Sequence, residues 1–200
     1  MIFIYGNGGR AKLIKELLLR NNRNYKFKFL KKIKNIDFKE INKTLRKNKD
    51  SKFYIGISDP NLQKNYYQKF KKKIIKINQK PIIDPSSIIK SNVKIGKNSL
   101  ILENAVIGPN VKIGNNVFIG SNSIINHDSK VGNFTTVGHG SNIAGNVKIM
   151  SLCFIGISST IQQNVNIGKN VVTGSASNIT KNCLANNTYY GNPAKKKINE

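Results

Sequence analysis

From Ile89 to Ile179 every sixth residue is a branched aliphatic: Ile89, Ile95, Ile101, Ile107, Ile113, Ile119, Ile125, Val131, Val137, Ile143, Ile149, Ile155, Ile161, Ile167 and Ile179, with Thr173 the one exception. A strict period of six is not helical; it belongs to a parallel β-helix assembled from hexapeptides. Two residues before each aliphatic stands a small or β-branched residue, among them Ser99, Ala105, Val111, Ser123, Cys153 and Ser159. Side chains two apart on a strand share a face. Both columns therefore point inward, and one large and one small residue fill a narrow interior at native density. Glycine often follows the aliphatic, as at Gly96, Gly108, Gly132 and Gly138, and is expected to permit the tight bend. Three hexapeptides make one triangular coil of about 18 residues, so the run from Ser87 to Ile179 predicts roughly five coils. Cys153 falls in the small column and reads as a core residue.

Residues 1–80 follow another pattern. Apolar runs at 1–5, 26–30, 52–57 and 73–77 read as strands, and helical spacing at 11–20, 38–47 and 60–71 reads as helices. This βαβαβ order predicts a small, Rossmann-like α/β domain with a parallel sheet. Gly6-Asn7-Gly8-Gly9 lies between the first strand and the first helix. Such a loop suits a diphosphate through its amides and the helix dipole, or simply makes a tight βα turn. The expected division is 1–80 as an acceptor-binding domain, 81–187 as the β-helix, and 188–200 as a C-terminal tail.

Composition narrows the class. No apolar run approaches the ~20 residues that span a bilayer. Met1 opens a strand-like segment and not an export signal, and Cys153 and Cys183 form neither a framework nor a CxxC pair. These features place the chain in the cytoplasm without a membrane partner. The net charge of +25 favours anionic partners. Lysine is spread along the chain without a dense basic arm or interleaved aromatics, which argues against nucleic acid. A phosphate-rich small molecule and a solvated lysine surface both fit.

In this register the residue two after each aliphatic lies at a corner and points outward. Both histidines of the chain, His127 and His139, occupy that column. One coil beyond His127 is Gly145, whose missing side chain opens space beside the imidazole. An imidazole base with a backbone donor for an oxyanion suits acyl transfer from an activated donor. Asp128 is placed to hold the tautomer, as a triad acid does. His139 belongs to a different corner, which only a neighbouring chain would bring near His127.

Ile124-Ile125-Asn126-His127-Asp128, Val131-Gly132-Asn133-Phe134 and Ala144-Gly145-Asn146-Val147 resemble the bacterial sugar acyltransferases, which include sialic acid O-acetyltransferases and UDP-4-amino-sugar N-acetyltransferases. The N-terminal Gly6-Asn7-Gly8-Gly9 and the closing Gly191-Asn192-Pro193-Ala194-Lys195 extend the resemblance over nearly the whole chain. It implies a left-handed β-helix and a homotrimer with acetyl-CoA between neighbouring solenoids. It makes His127 the general base, Asp128 its supporting acid, and Gly145 the glycine facing the thioester carbonyl. Ile157 and Gly174 would line the pantetheine groove, and Pro193 and Lys195 would lie near the adenine end. Gly6, Gly8 and Gly9 would contact the acceptor, with His139 a further candidate there. Thr136 stands where the family often has a second histidine, and Arg10 where it often has another.

The leading expectation is N-acetylation of a nucleotide-linked amino-deoxysugar for surface glycan synthesis. O-acetylation of a sialic-type sugar would use nearly the same site. A hexapeptide metal lyase would want three histidines, and a non-enzymatic scaffold or nucleic-acid binder is the remaining class. No metal site is expected.

Overall fold

The computed structural model describes residues 1–200 except 22, 23, 32–34, 76, 78 and 198–200. The chain divides into two compact units, Met1–Lys80 and Pro81–Glu200.

The first unit runs β1 (Ile2–Tyr5), α1 (Gly9–Arg20), β2 (Phe27–Leu30), α2 (Phe38–Lys47), β3 (Lys52–Ile55) and α3 (Pro60–Lys71). Its three strands are parallel in the order β2-β1-β3. The central β1 is apolar throughout and wholly buried, as a strand covered on both faces must be. Asp37 caps α2 by accepting from the amides of Lys39 and Glu40, and Asp59 caps α3, where Pro60 supplies the first turn.

A strand over 73–77 is absent among the described residues; Lys76 lies outside them. The amides of Lys73 and Ile74 both donate to the Phe70 carbonyl, closing the end of α3. Ile74 and Ile77 are buried with Phe70 in the core of this unit. Their apolar surface is used in a turn, so no sheet edge is extended.

The second unit is a left-handed β-solenoid of about six turns, starting at residue 82. Face 1 carries Ile82–Ile83, Leu100–Ile101, Phe118–Ile119, Thr136–Val137, Phe154–Ile155 and Val172–Thr173. Face 2 carries Ile88–Ile89, Val106–Ile107, Ile124–Ile125, Asn142–Ile143, Thr160–Ile161 and Asn178–Ile179. Face 3 carries Lys94–Ile95, Lys112–Ile113, Lys130–Val131, Lys148–Ile149 and Asn166–Ile167. Each strand pairs in parallel with the strands one coil before and after it. The solenoid thus exceeds the expected five coils, because Ile83 already occupies the aliphatic column. Thr188–Gly191 adds to Val172–Thr173, and Ala194–Lys196 folds back antiparallel on it, so residues 188–196 continue face 1.

The two inward columns form the core. Hydroxyls in these columns turn to backbone carbonyls, as where Ser123 Oγ donates to the Gly138 carbonyl at 2.8 Å and Ser141 Oγ to the Gly156 carbonyl at 3.0 Å; Ser177 Oγ is buried without a partner among the described residues. Thr173, the exception among the aliphatics, accepts from the Gly156 amide at 3.0 Å. Cys153 is fully buried, and burial pushes its thiol up to about 11, leaving it protonated and inert.

The bend is not made by the glycines after the aliphatics. Their φ angles are ordinary, and the left-handed residue is the one three after the aliphatic: Asn92, Asn98, Asn104, Asn110, Asn116, Asn122, Asp128, Asn146, Asn164 and Asn170 all have φ between 55° and 63°. Asparagine tolerates this conformation better than most side chains. The glycines answer to coil spacing instead. A β-carbon on Gly132 would lie 2.5 Å from the Ser151 nitrogen, and one on Gly138 would lie 2.7 Å from that of Ile157. Among the described residues no helix is long and apolar enough to cross a membrane.

Candidate active site

His127 sits on the corner between Ile124–Ile125 of face 2 and Lys130–Val131 of face 3. Its carbonyl accepts from the Asn146 amide at 2.9 Å, which fixes Gly145 as its neighbour one coil on. Its ring Nδ1 lies 2.8 Å from Asp128 Oδ2, with the two side chains 48% and 45% exposed. The left-handed backbone at Asp128 (φ 61°) turns an adjacent residue's carboxylate back onto the imidazole. Asp128 Oδ1 accepts from Asn110 Nδ2 at 3.1 Å. The hydrogen bond to His127 foremost, and that from Asn110 next, hold the Asp128 carboxyl below the usual carboxylate range.

A carboxylate at Nδ1 accepts a hydrogen bond from it, so the neutral ring carries its hydrogen there and Nε2 keeps a free lone pair. That Nε2 rests on Gly145: a β-carbon there would meet both Nε2 and Cε1 of His127, the latter at 2.5 Å. The imidazole itself thus fills the space left by the absent side chain. The Gly145 amide makes no hydrogen bond among the described residues. The corner therefore combines a base, an anchored tautomer and an unused backbone donor.

The other expected residues separate into three groups. His139, Ile157 and Gly174 share the corner between faces 1 and 2, where the Ser158 amide donates to the His139 carbonyl at 2.8 Å and the Ala176 amide to that of Ile157 at 2.8 Å. His139 Nδ1 accepts from the Ser121 amide at 3.0 Å, and its ring lies edge-on to Phe118. Ile157 is exposed. Pro193 and Lys195 belong to the terminal hairpin, in which Tyr190 pairs with Lys195; a β-carbon on Gly174 would strike Tyr190 Cβ at 2.9 Å. Within one chain, His127 and His139 thus stand on different corners.

Gly6, Gly8 and Gly9 form the β1–α1 loop of the first unit. Gly6 has φ 109°, and a β-carbon there would lie 2.8 Å from the Gly56 carbonyl oxygen, so no other residue fits. Gly8 caps α1 without a side-chain bond, and no acidic residue occupies the first turn. Beside them Arg10 is buried, donates to Gln63 Oε1 at 3.5 Å, and is lowered to about 9 by desolvation.

Asn110 escaped the sequence reading, although the asparagine column that contains it is legible at six-residue spacing and Asp128 is the one acid in it. Among the described residues no group of three or more His, Cys, Asp or Glu is arranged to hold a metal ion.

The family model described as bacterial transferase hexapeptide (six repeats) matches residues 110–145, the stretch that holds His127, Asp128 and Gly145. No curated protein matches the sequence. Among solved structures, PerB from Caulobacter crescentus, in complex with CoA and GDP-perosamine, is 21% identical with a TM-score of 0.86, over 98% of this chain and 97% of its own. The acetyltransferase domain of PglB from Neisseria gonorrhoeae, in complex with acetyl coenzyme A, is 18% identical with a TM-score of 0.86, over 98% of each chain. WeeI from Acinetobacter baumannii is 22% identical with a TM-score of 0.78, over 98% of this chain and 99% of its own. At these identities the likeness is one of fold, and it extends over both units.

Proposed function

We propose that the chain is an acetyl-CoA-dependent N-acetyltransferase acting on the amino group of a nucleotide-linked amino-deoxysugar, a cytoplasmic step in bacterial surface glycan synthesis. One observation carries the reading: His127, tautomerically anchored by Asp128, lies on Gly145 in a solenoid whose fold is that of amino-sugar N-acetyltransferases. The acceptor amine attacks the thioester carbonyl while His127 Nε2 removes its proton. The Gly145 amide donates to the oxyanion. Collapse breaks the carbon–sulfur bond, and the thiolate leaves with the proton held by His127. The thioester is already activated, so no acyl-enzyme is needed.

The assembly in this reading is a homotrimer. Face 2 presents Ile88, Val106 and Ile124 in register, with Ile88 49% and Ile124 37% exposed. Turning this aliphatic ladder toward a threefold axis buries it. The same packing sets the His127 corner of one chain beside the His139–Ile157–Gly174 corner of the next. Acetyl-CoA would lie in that cleft, with Pro193 and Lys195 toward its adenine end. The first unit, read as Rossmann-like, would bind the acceptor through Gly6, Gly8, Gly9 and the uncapped start of α1.

The test is thiol release from acetyl-CoA with UDP-, GDP- and dTDP-linked 4-amino sugars, 3-amino sugars, and free and CMP-linked sialic acids. Release with one amino sugar, lost in His127→Ala, is expected. Release with sialic acids alone would replace N-transfer by O-transfer, and silence with every acceptor would overturn the reading.

A further inference from the structure

Face 3 carries an arrangement of charge that the dyad does not explain. Lys94, Lys112, Lys130 and Lys148 stand directly opposite one another on four successive parallel strands. Neighbouring strands lie about 4.8 Å apart, and like charges directly opposite destabilise a sheet. All four lysines are exposed, and none has a carboxylate within ion-pair distance among the described residues. Beside them runs the left-handed corner ladder of Asn110, Asp128, Asn146 and Asn164. Between the two ladders is a groove of about 530 Å³, lined by these four residues with Lys112, Lys130, Lys148 and Asn166.

Every lining residue is polar or charged, with three ammonium groups against one carboxylate. Both oxygens of that carboxylate are engaged, by His127 and Asn110. The side-chain amides of Asn146 and Asn164 make no hydrogen bond among the described residues and are available as donors. Nothing in the groove offers an aromatic platform for a base, and no apolar side chain is present to enter a lipid interface. The ladder of lysines also opposes packing against the same face of a second copy. A small, dense anion satisfies every one of these features, and its place beside Asp128 puts it next to the reactive corner.

We infer that this groove binds a diphosphate, with Lys130 and Lys148 bridging its phosphoryl groups and Asn146 and Asn164 donating from the opposite wall. If the transferase reading above holds, that diphosphate belongs to one of the two substrates, coenzyme A or the nucleotide-linked sugar. The groove itself does not depend on that reading.

The experiment uses inorganic pyrophosphate as the probe, titrated calorimetrically into the full chain at low salt. Wild type should bind it, and the Lys130→Gln/Lys148→Gln variant should bind at least tenfold more weakly. His127→Ala should bind it like wild type. Both lysines are exposed, so the double variant should keep the wild-type circular dichroism spectrum. Equal affinity in wild type and the lysine variant, or no binding to wild type, overturns the inference. Two kinetic arms identify the source. Pyrophosphate competing with acetyl-CoA, together with unchanged use of S-acetylpantetheine by the double variant, assigns the groove to the cofactor. Competition with the nucleotide sugar assigns it to the acceptor. Lysine-dependent pyrophosphate binding in a protein inactive with every acceptor would keep the groove and remove the transferase. Full activity with lysine-independent binding would do the reverse.

Discussion

The imidazole of His127 occupies the volume that a β-carbon on Gly145 would fill, so the two residues form one element of the site although 18 positions separate them. The contact is to the end of a side chain that is half exposed, and Gly145 has no left-handed φ among the described glycines. Gly145→Ala should therefore leave the solenoid intact and swing the ring off Asp128. The expected result is an unchanged melting temperature with a loss of turnover of at least tenfold. Gly132→Ala supplies the contrast, because its β-carbon meets the backbone nitrogen of Ser151 at 2.5 Å. That variant should cost about 1–3 kcal/mol, the range for overpacking a rigid neighbour. Thermal melts of both variants beside their rates separate the two cases.

His127→Ala removes the proposed base and should lower turnover by about 10²–10⁴, with acetyl-CoA affinity nearly unchanged. Asp128→Asn keeps the shape but offers the ring an amide, so the tautomer with the free Nε2 loses its anchor. It should also lower turnover strongly, and the double variant should be no worse than His127→Ala. Additive losses in steady-state rates would show that the two residues do not act as a pair.

Much of this site is written in the six-residue spacing, because a solenoid places residues by counting. The aliphatic column fixes the coil, the coil fixes the corner, and the corner puts Gly145 beside His127. The same counting could have revealed the asparagine column, and with it Asn110, and the lysines at 94, 112, 130 and 148. The even spread of lysine along the whole chain hides that ladder in the composition. The glycines misled for a physical reason. Glycine suits a bend and also suits close approach, and only the backbone angles show that asparagine takes the bend here. In the first unit residues 73–77 alternate too little to choose between a strand and a buried turn, and packing of Ile74 and Ile77 with Phe70 decided it. No count within one chain joins His127 to His139, because they stand on different corners of the coil.

The carboxyl of Asp128 is depressed by its bonds to His127 and Asn110. A depressed carboxyl stays ionised as pH falls into the ordinary carboxylate range. The pairing it supports is therefore fully present above the ordinary aspartate value and is lost only as pH falls through the lower, folded value. A carbon-detected NMR titration of the Asp128 carboxyl should place its midpoint below that of an unperturbed aspartate. Asn110→Ala should move the midpoint up, and His127→Ala should move it up further. A midpoint unmoved by either substitution would mean that neither bond persists in solution.

The aliphatic ladder of face 2 makes the trimer testable apart from the chemistry. Ile124 lies in its register with Val106 and Ile88, and its side chain points away from the solenoid core. Ile124→Glu therefore leaves the inward columns untouched and should not unfold the chain. Three carboxylates brought to one axis would repel one another in an environment of lowered dielectric. Light scattering should show a trimer for wild type and a monomer for the variant at the same concentration. If the cleft between chains holds acetyl-CoA, the monomer should also lose its affinity for the cofactor while the His127–Asp128 pair stays formed by NMR. A monomeric wild type would rule out the shared cleft, and a trimeric variant would move the interface to another face.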